Sequence, residues 1–155
     1  MNSEEPSDRL RGAVILVQGR KVALIRRDRA GQIYYLFPGG GVERQETLEQ
    51  AAIREAREEL GAHVALEGLG AVVQFHDYQL SGAAQYYFHA HIVGGEFGSG
   101  DGEELASEER SEAGSYRPVW LALEELYMHD VRPVALSEAL QKETLVKGVV
   151  LEIEE

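Results

Sequence analysis

Residues 39–62 read GGGVERQETLEQAAIREAREELGA, and they carry clear signals for one helix. Thr47 and Gln50 have the spacing of a capping box, in which the threonine caps the first turn and the glutamine reaches back to it. Gly61 suits the left-handed backbone just past a helix end. The stretch therefore predicts a helix of roughly three and a half turns between Thr47 and Gly61.

Three glutamates of this helix, Glu55, Glu58 and Glu59, stand at positions i, i+3 and i+4, so their side chains lie on one side. Glu59 falls at the edge of the apolar arc rather than opposite it. One interpretation is a solvated charged face on which Arg54 pairs with Glu58, but it does not explain Glu59. Like charges at these spacings cost about 0.2–0.5 kcal/mol per pair. A hard divalent cation, which takes oxygen ligands, is the simplest group that offsets this repulsion.

The spacing of charged and glycine residues across the stretch resembles the signature of the Nudix hydrolase family. Gly40 is followed after five residues by Glu46, and seven further residues lead to Arg54-Glu55, Glu58-Glu59 and Gly61. The departures are Ala56 and Ala62, which are small where the family usually has a bulkier aliphatic residue. The approach at residues 34–38 (YYLFP) and the later stretch at 116–121 (YRPVWL) also look like Nudix segments.

The resemblance implies a magnesium-dependent hydrolase with the Nudix fold, an α/β architecture in which a mixed β-sheet is sandwiched between α-helices. The implied metal ligands are helix carboxylates and one main-chain carbonyl, namely Glu55, Glu58, Glu59 and either Gly39 or Gly40. Mn²⁺ is an expected substitute for Mg²⁺. Glu58 is favoured as the general base, with Glu55 next. Arg54 is expected to orient the cluster by pairing with Glu46 or Glu58.

The implied substrate is a small phosphorylated nucleotide: a nucleoside triphosphate, a dinucleoside polyphosphate or a nucleotide sugar. Arg26 and Arg27 end a predicted strand and are either solvated or in contact with substrate phosphate. Tyr78 lies sixteen residues past Ala62, a placement associated within the family with dinucleoside polyphosphate hydrolases. Similar ADP-ribose hydrolases carry a proline near this position. Its absence here makes ADP-ribose a less favoured substrate.

Residues 94–114 form the longest predicted loop, and its length suggests a function. One interpretation is a solvated acidic loop. The other, by resemblance, is that one acid of the loop adds a ligand to the metal site, the candidates being Glu104, Glu108, Glu109 and Glu112.

The clearest predicted strand spans residues 83–93. Side chains alternate along a strand, so one face carries Tyr86, Phe88, Ala90 and Ile92, and the other carries Gln85, Tyr87, His89 and His91. The two histidines are interpreted as strand or cleft residues in preference to a metal pair. Further strands are predicted at 10–17, 21–26, 33–37, 64–80 with a break near 68–70, 115–121 and 145–153. A helical turn is predicted at 123–126 and a helix at 133–141.

The whole chain, 155 residues, fits one domain, predicted at 9–155 after a flexible N-terminal tail at 1–8. There is no cysteine, which excludes a disulfide. No apolar run approaches the roughly 20 residues that span a bilayer. The polar first residues argue against a secretory signal, so we expect no membrane partner and a cytoplasmic location.

The net charge of −12 argues against a nucleic-acid polymer as partner, because such binding relies on Lys and Arg. It does not oppose a small phosphorylated ligand, since a bound metal reverses the local sign. A second functional class is a non-catalytic Nudix-fold nucleotide sensor or interaction domain. Such domains commonly lose motif glutamates, and this chain keeps all of them, so catalysis is favoured. The oligomeric state is left open.

Overall fold

Strand β1 (Ser7–Gln18) runs through the middle of the sheet in a computed structural model, which describes residues 7–76, 83–100 and 115–155. It pairs antiparallel with β2 (Lys21–Arg29) and β4 (Gly39–Val42). It pairs parallel with β6 (Ala84–Gly95). Gly12 of β1 is the register partner of both Gly40 and Tyr86. The glycine run and β6 therefore flank the same strand.

Five further strands complete the sheet formed by the described residues: β3 (Gln32–Leu36), β5 (Ala62–Gln74), β7 (Ser115–Ala122), β8 (Val131–Arg132) and β9 (Leu151–Glu154). The strand order is β8-β3-β2-β1-β6-β5-β9, with β4 beside β1 and β7 beside β2. The pairs β1–β6, β3–β8 and β5–β9 are parallel, whereas the other pairs are antiparallel. The sheet is mixed, as predicted.

Helix α1 (Leu48–Leu60) has the predicted start and end. Gln50 N donates to Thr47 Oγ1 at 3.0 Å, and Thr47 N donates to Gln50 Oε1 at 2.9 Å. Gly61 follows the helix with a φ of 78°, which a residue without Cβ adopts at little cost. The capping box and the glycine stop are both confirmed.

A glycine lets α1 approach the sheet closely. A Cβ on Gly12 of β1 would overlap the carbonyl oxygen of Leu48 and come within 3.1 Å of Ala52 N. The first turn of α1 therefore lies directly on the strand that also pairs with the glycine run. This close packing fixes the height of the helix glutamates above β4.

The two faces of the sheet carry separate apolar cores. On one face, α1 packs against Val14, Leu16, Phe88 and Ala90. On the other, a 3₁₀ helix (Leu123–Met128) and α2 (Val134–Gln141) pack against a second core that includes Ile15, Val73 and Tyr87. The predicted alternation along β6 is confirmed, since Phe88 and Tyr87 enter opposite cores. The predicted sheet between helices is confirmed as well.

Three predicted boundaries differ from the structure. The run predicted as one or two strands is a single strand, β5, with register shifts on both sides of Leu69 that absorb the predicted break. The last strand was predicted at 145–153 and was wrong over its first six residues, because only Leu151–Glu154 pairs with β5. β1 begins at Ser7, two residues before the predicted domain start, and residues 1–6 of the predicted tail lie outside the described residues.

No helix in the described ranges combines the length and the apolar character needed to cross a membrane.

Candidate functional site

A cavity of about 620 Å³ opens where the glycine run meets α1. Its floor is formed by the main chain of Gly39, Gly40 and Gly41 with the side chains of Glu55 and Glu59. One wall comes from the strands β1 and β6 together with Phe75, which follows β5, and the other wall comes from β2, β3, β7 and β8. The size is within the range of sites for small ligands.

Glu59 is a buried carboxylate at the floor of the cavity. Only 8% of its surface is exposed, and its Oε1 accepts a hydrogen bond from Gly39 N at 2.9 Å. Burying a charged group is costly unless hydrogen bonds compensate for the lost water. The bond to Gly39 accounts for the position at the edge of the apolar arc, and it ties α1 to the glycine run.

Arg54 is the centre of the charged cluster. Its Nε and Nη2 bind the two carboxylate oxygens of Glu46 at 2.8 and 3.1 Å, and Nη2 also donates to Gly41 O at 2.9 Å. Its Nη1 donates to Glu55 at 3.0 Å and to Glu58 at 3.1 Å. The predicted pairing of Arg54 with Glu46 or Glu58 is confirmed for both, and the arginine offsets part of the repulsion within the cluster.

The pairing shifts the ionisation of both partners. The hydrogen bonds to Arg54 lower the pKa of Glu46, and those to Glu46 raise the pKa of Arg54. Such charge-assisted, two-point contacts are stronger than single neutral hydrogen bonds. Glu46 and Arg54 therefore remain charged over the whole neutral range and hold the loop before α1 against the helix.

Gly40 and Glu55 are in close contact. A Cβ on Gly40 would overlap the carboxyl group of Glu55, so this carboxylate lies directly against the glycine backbone. Glu55 and Glu59 both line the cavity, whereas Glu58 lies beside it, held by Arg54.

The oxygen donors at this floor are of the type that Mg²⁺ and Mn²⁺ accept. Within the ranges 7–76, 83–100 and 115–155, however, no group of three Asp, Glu, His or Cys side chains is arranged so that it could hold a metal ion. The expected convergence of the three glutamates is thus only partial. Glu55 and Glu58 meet at Arg54 Nη1, while Glu59 turns to Gly39 N. The carboxylate and carbonyl oxygens are chemically suitable ligands for a magnesium ion. Binding it would require these carboxylates to give up hydrogen bonds to Arg54 and Gly39 in exchange for the metal.

The wall built by β2, β3, β7 and β8 carries alternating cations and aromatic rings. The guanidinium of Arg27 lies 3.8 Å from the ring centre of Tyr116, and that of Arg132 lies 4.2 Å from the ring centre of Tyr34. Arg27 is the register partner of both Tyr34 and Tyr116, so these three side chains form one row across the strands, whereas Arg132 pairs with Leu36. Asp130 binds Arg132 at 2.8 and 3.1 Å.

A family model, that of the NUDIX domain, matches residues 8–142 of the chain. The chain belongs to the Nudix family. A comparison with curated proteins found no match.

Solved Nudix structures share the fold. A NUDIX hydrolase from Nitrosomonas europaea aligns with a TM-score of 0.68 at 22% identity, covering 97% of this chain and 80% of that chain. An ADP-ribose pyrophosphatase from Streptococcus suis aligns with a TM-score of 0.66 at 16% identity, covering 96% and 100%. A MutT NUDIX hydrolase from Burkholderia pseudomallei aligns with a TM-score of 0.57 at 26% identity, covering 86% and 95%.

The two arginines predicted for the substrate separate in the structure of this Nudix domain. Arg27 lines the cavity, whereas Arg26 is not part of the lining. Adjacent side chains in a strand point to opposite faces. The register explains the difference, because Arg26 pairs with Tyr35 and Arg117, not with the row of Arg27. Tyr78 and the loop acids Glu104, Glu108, Glu109 and Glu112 lie outside the described residues.

Several residues that line the Nudix cavity were not predicted, among them Arg11, Phe75, Gln85, Tyr87 and Arg132. Arg11 donates to Gly39 O at 3.3 Å and so contacts one of the two carbonyls considered as metal ligands. The alternation along β6 does put Gln85 and Tyr87 on one face. What the sequence does not reveal is that β1 lies between β6 and the glycines, which is what brings that face to the site.

Proposed function

We propose that this Nudix protein is a magnesium-dependent hydrolase that cleaves a pyrophosphate linkage in a nucleoside diphosphate linked to another moiety. The single observation that carries the proposal is the asymmetry of the cavity. Glu55, Glu59 and three consecutive glycines form its floor, while Arg27, Tyr116 and Arg132 belong to one wall. Carboxylates suit a cation, and arginines suit the phosphates that would accompany it.

The residues proposed to hold the metal are Glu55, Glu58 and Glu59 with the carbonyl of Gly39 or Gly40. Arg11 already donates to Gly39 O, which favours Gly40 as the source of the carbonyl. When bound, magnesium supplies Lewis acidity toward the phosphates and lowers the pKa of a bound water. Mn²⁺ is the proposed substitute because it accepts the same oxygen donors.

The proposed general base is a carboxylate of α1, Glu58 or Glu55. Glu58 is the choice favoured by the sequence. The position of Glu55 on the cavity floor supports Glu55, because a base must come within hydrogen-bond reach of the water it activates. Arg54 contacts both carboxylates through the same Nη1, so its proposed role is to orient them rather than to touch the substrate.

Arg27 is the proposed contact to substrate phosphate. Its guanidinium lies over the Tyr116 ring at 3.8 Å from the ring centre, a contact that restricts its position, and Arg27 lines the same cavity as Glu55. A pre-oriented guanidinium loses little conformational entropy when it binds an anion. The proposed substrates are nucleoside triphosphates, dinucleoside polyphosphates and nucleotide sugars. A cytoplasmic location and the lack of a nucleic-acid polymer partner stay predictions.

The competing function is a non-catalytic nucleotide sensor. The enzyme is supported by the contacts of Arg54 with Glu46, Glu55 and Glu58 and by the presence of Glu59 at the cavity floor. The test is a panel of nucleoside triphosphates, dinucleoside polyphosphates, nucleotide sugars and ADP-ribose, incubated with Mg²⁺ or Mn²⁺ and analysed for released products by chromatography. The enzyme is expected to release a nucleotide and a second phosphorylated product from at least one class. Binding of nucleotides without any cleavage would establish the sensor instead.

A further inference from the structure

Phe75 and Gln85 line a part of the cavity that lies away from the helix glutamates. Gln85 of β6 is the register partner of Val73 on β5, and Phe75 follows Val73 by two residues, so Phe75 and Gln85 lie on the same face. Both are half-buried and both line the cavity. An aromatic ring beside a side-chain amide can stack on a flat heterocycle and hydrogen-bond to its edge.

Tyr87 holds the amide of Gln85 in place. Only 4% of Tyr87 is exposed, and its ring packs edge-to-face against Phe37 with centroids 5.7 Å apart. Its hydroxyl donates a hydrogen bond to Gln85 Oε1. Burial raises the pKa of the Tyr87 phenol, which therefore keeps its proton to donate. With Oε1 engaged by Tyr87, the NH₂ group is the end of Gln85 that remains to donate to a ligand.

The position of Gln85 suits the part of a nucleotide that is remote from the phosphates. Gly41, Arg11 and Gln85 are register partners across β4, β1 and β6. Neighbouring strands are about 4.8 Å apart, so the backbone of Gln85 lies roughly 10 Å from the glycine run. Arg11 and Glu155 are the charged side chains of this end of the lining, whereas Arg27 and Arg132 are on the other wall. An uncharged aromatic and amide pair at that distance fits a nucleobase better than a phosphate.

We propose that Phe75 and Gln85 form a nucleobase subsite in which Phe75 stacks on the base, Gln85 donates to a carbonyl oxygen of the base, and Tyr87 is the positioning residue for Gln85. The inference rests on the proposed nucleotide hydrolase and adds a preference for oxo bases, such as hypoxanthine, guanine or uracil, over amino bases. A site built to donate to an oxygen discriminates against an analogue that presents an amino group there, because two donors then face each other.

The test measures equilibrium binding of nucleoside 5′-monophosphates to the full chain by titration calorimetry, without added metal. Monophosphates contain no anhydride bond, so binding is separated from turnover. The matched pairs are IMP against AMP and UMP against CMP, which differ at one oxo or amino position and the adjacent ring nitrogen. The wild type is expected to bind the oxo member of each pair about fivefold to tenfold more tightly, the effect of one net hydrogen bond.

Four variants separate the roles. Gln85→Glu replaces the amide donors with a carboxylate acceptor and is expected to reverse the preference, and Gln85→Ala is expected to abolish it. Tyr87→Phe is expected to bring the oxo-to-amino ratio toward one while stacking affinity persists. Phe75→Ala is expected to weaken all four nucleotides by a similar factor, about tenfold, through lost stacking. Melting temperatures identify any variant that fails to fold.

The control variant is Gln74→Glu. Gln74 is exposed and adjacent to Phe75, but it lies on the opposite face of β5. The glutamate introduced there therefore adds the same charge as Gln85→Glu near the subsite without entering the cavity. It is expected to leave the oxo-to-amino ratio unchanged. The inference would be overturned if the wild type showed no preference for the oxo nucleotides, or if it bound none of the four nucleotides measurably. So would an equal loss for all four in folded Gln85→Glu, which would place Gln85 at the sugar or phosphate. A preserved oxo preference without anhydride cleavage would instead count against the proposed hydrolase alone.

Discussion

Replacing Gly40 with alanine separates the metal site from the stability of the fold. The new Cβ would overlap the Glu55 carboxyl group, which is the far end of a flexible side chain and can rotate away. The variant then loses the 3.0 Å contact of Glu55 with Arg54, a charged hydrogen bond worth about 1.5–3 kcal/mol. Restricting the unfolded chain returns about 0.4–1 kcal/mol. We expect the free energy of unfolding in chelator to fall by about 0.5–2.6 kcal/mol.

The larger effect is expected on magnesium binding. A ligand present at a hundred times its Kd stabilises the fold by about 2.7 kcal/mol, which raises the Tm of a domain this size by roughly 5–11 °C. Displacing a group at a metal site commonly costs tenfold to a hundredfold in affinity. At the same magnesium concentration the gain of Gly40→Ala then drops to about 0.4–1.4 kcal/mol. The assay is thermal unfolding of wild type and variant in chelator and in Mg²⁺.

The control is Gly70→Ala. A Cβ at Gly70 meets the His89 ring at 2.7 Å and Ile15 at 3.0 Å, so it also displaces side chains, but away from the glutamates. This variant is expected to lose stability in chelator and to keep the whole magnesium gain. The reasoning is refuted if Gly40→Ala gains as much from magnesium as wild type, or if Gly70→Ala loses the gain equally.

Three further predictions follow from the charged cluster. Glu59→Gln should melt at or above wild type in chelator, since its amide oxygen still accepts from Gly39, yet gain little from Mg²⁺; a less stable variant with the full magnesium gain would remove Glu59 from the metal site. Because Arg54 lowers the pKa of Glu46, their pairing contributes stability above the ordinary glutamate pKa and loses it as pH falls through the lowered value. The free energy of unfolding, measured with denaturant between about pH 5 and 3, should therefore fall less steeply with pH for Glu46→Gln than for wild type. Equal pH dependence in the two proteins would contradict the assignment. If one acid of the loop at 94–114 binds the metal, neutralising that acid should reduce turnover or magnesium binding with little change in Tm. The acids to test one at a time are Glu104, Glu108, Glu109 and Glu112. If all four variants match wild type, the loop acids serve only solvation.

The local features of the fold could be predicted because they depend on near neighbours in the chain. The capping box at Thr47, the stop at Gly61 and the ion pairs of Arg54 with Glu46 and Glu58 all join residues at most eight positions apart. Their spacing alone determines the geometry of one helix. The spacing of charged and glycine residues from Gly40 to Gly61 also sufficed to suggest the family, which the match over residues 8–142 confirms.

The other side of the cavity could not be predicted because it depends on strand order. Gln85 and Arg11 are far apart in sequence and meet only because β1 pairs with β6. Residues 145–150 were predicted as the first part of the last strand, yet only Leu151 onward pairs with β5. Helix periodicity predicted that the three glutamates would converge, and in the structure they do so only in part. The reason is that Gly39 N offers Glu59 a backbone donor, which helix periodicity does not reveal.

The most direct test of the central claim is the turnover of the best panel substrate by wild type, Glu55→Gln and Glu58→Gln, each in Mg²⁺ and in chelator. Glutamine has nearly the same shape and a high helix propensity, so the fold should survive. The account predicts hydrolysis by wild type that requires the metal and falls by at least about 10²-fold in both variants. Hydrolysis that persists in chelator, or turnover near wild type in both variants, would contradict it.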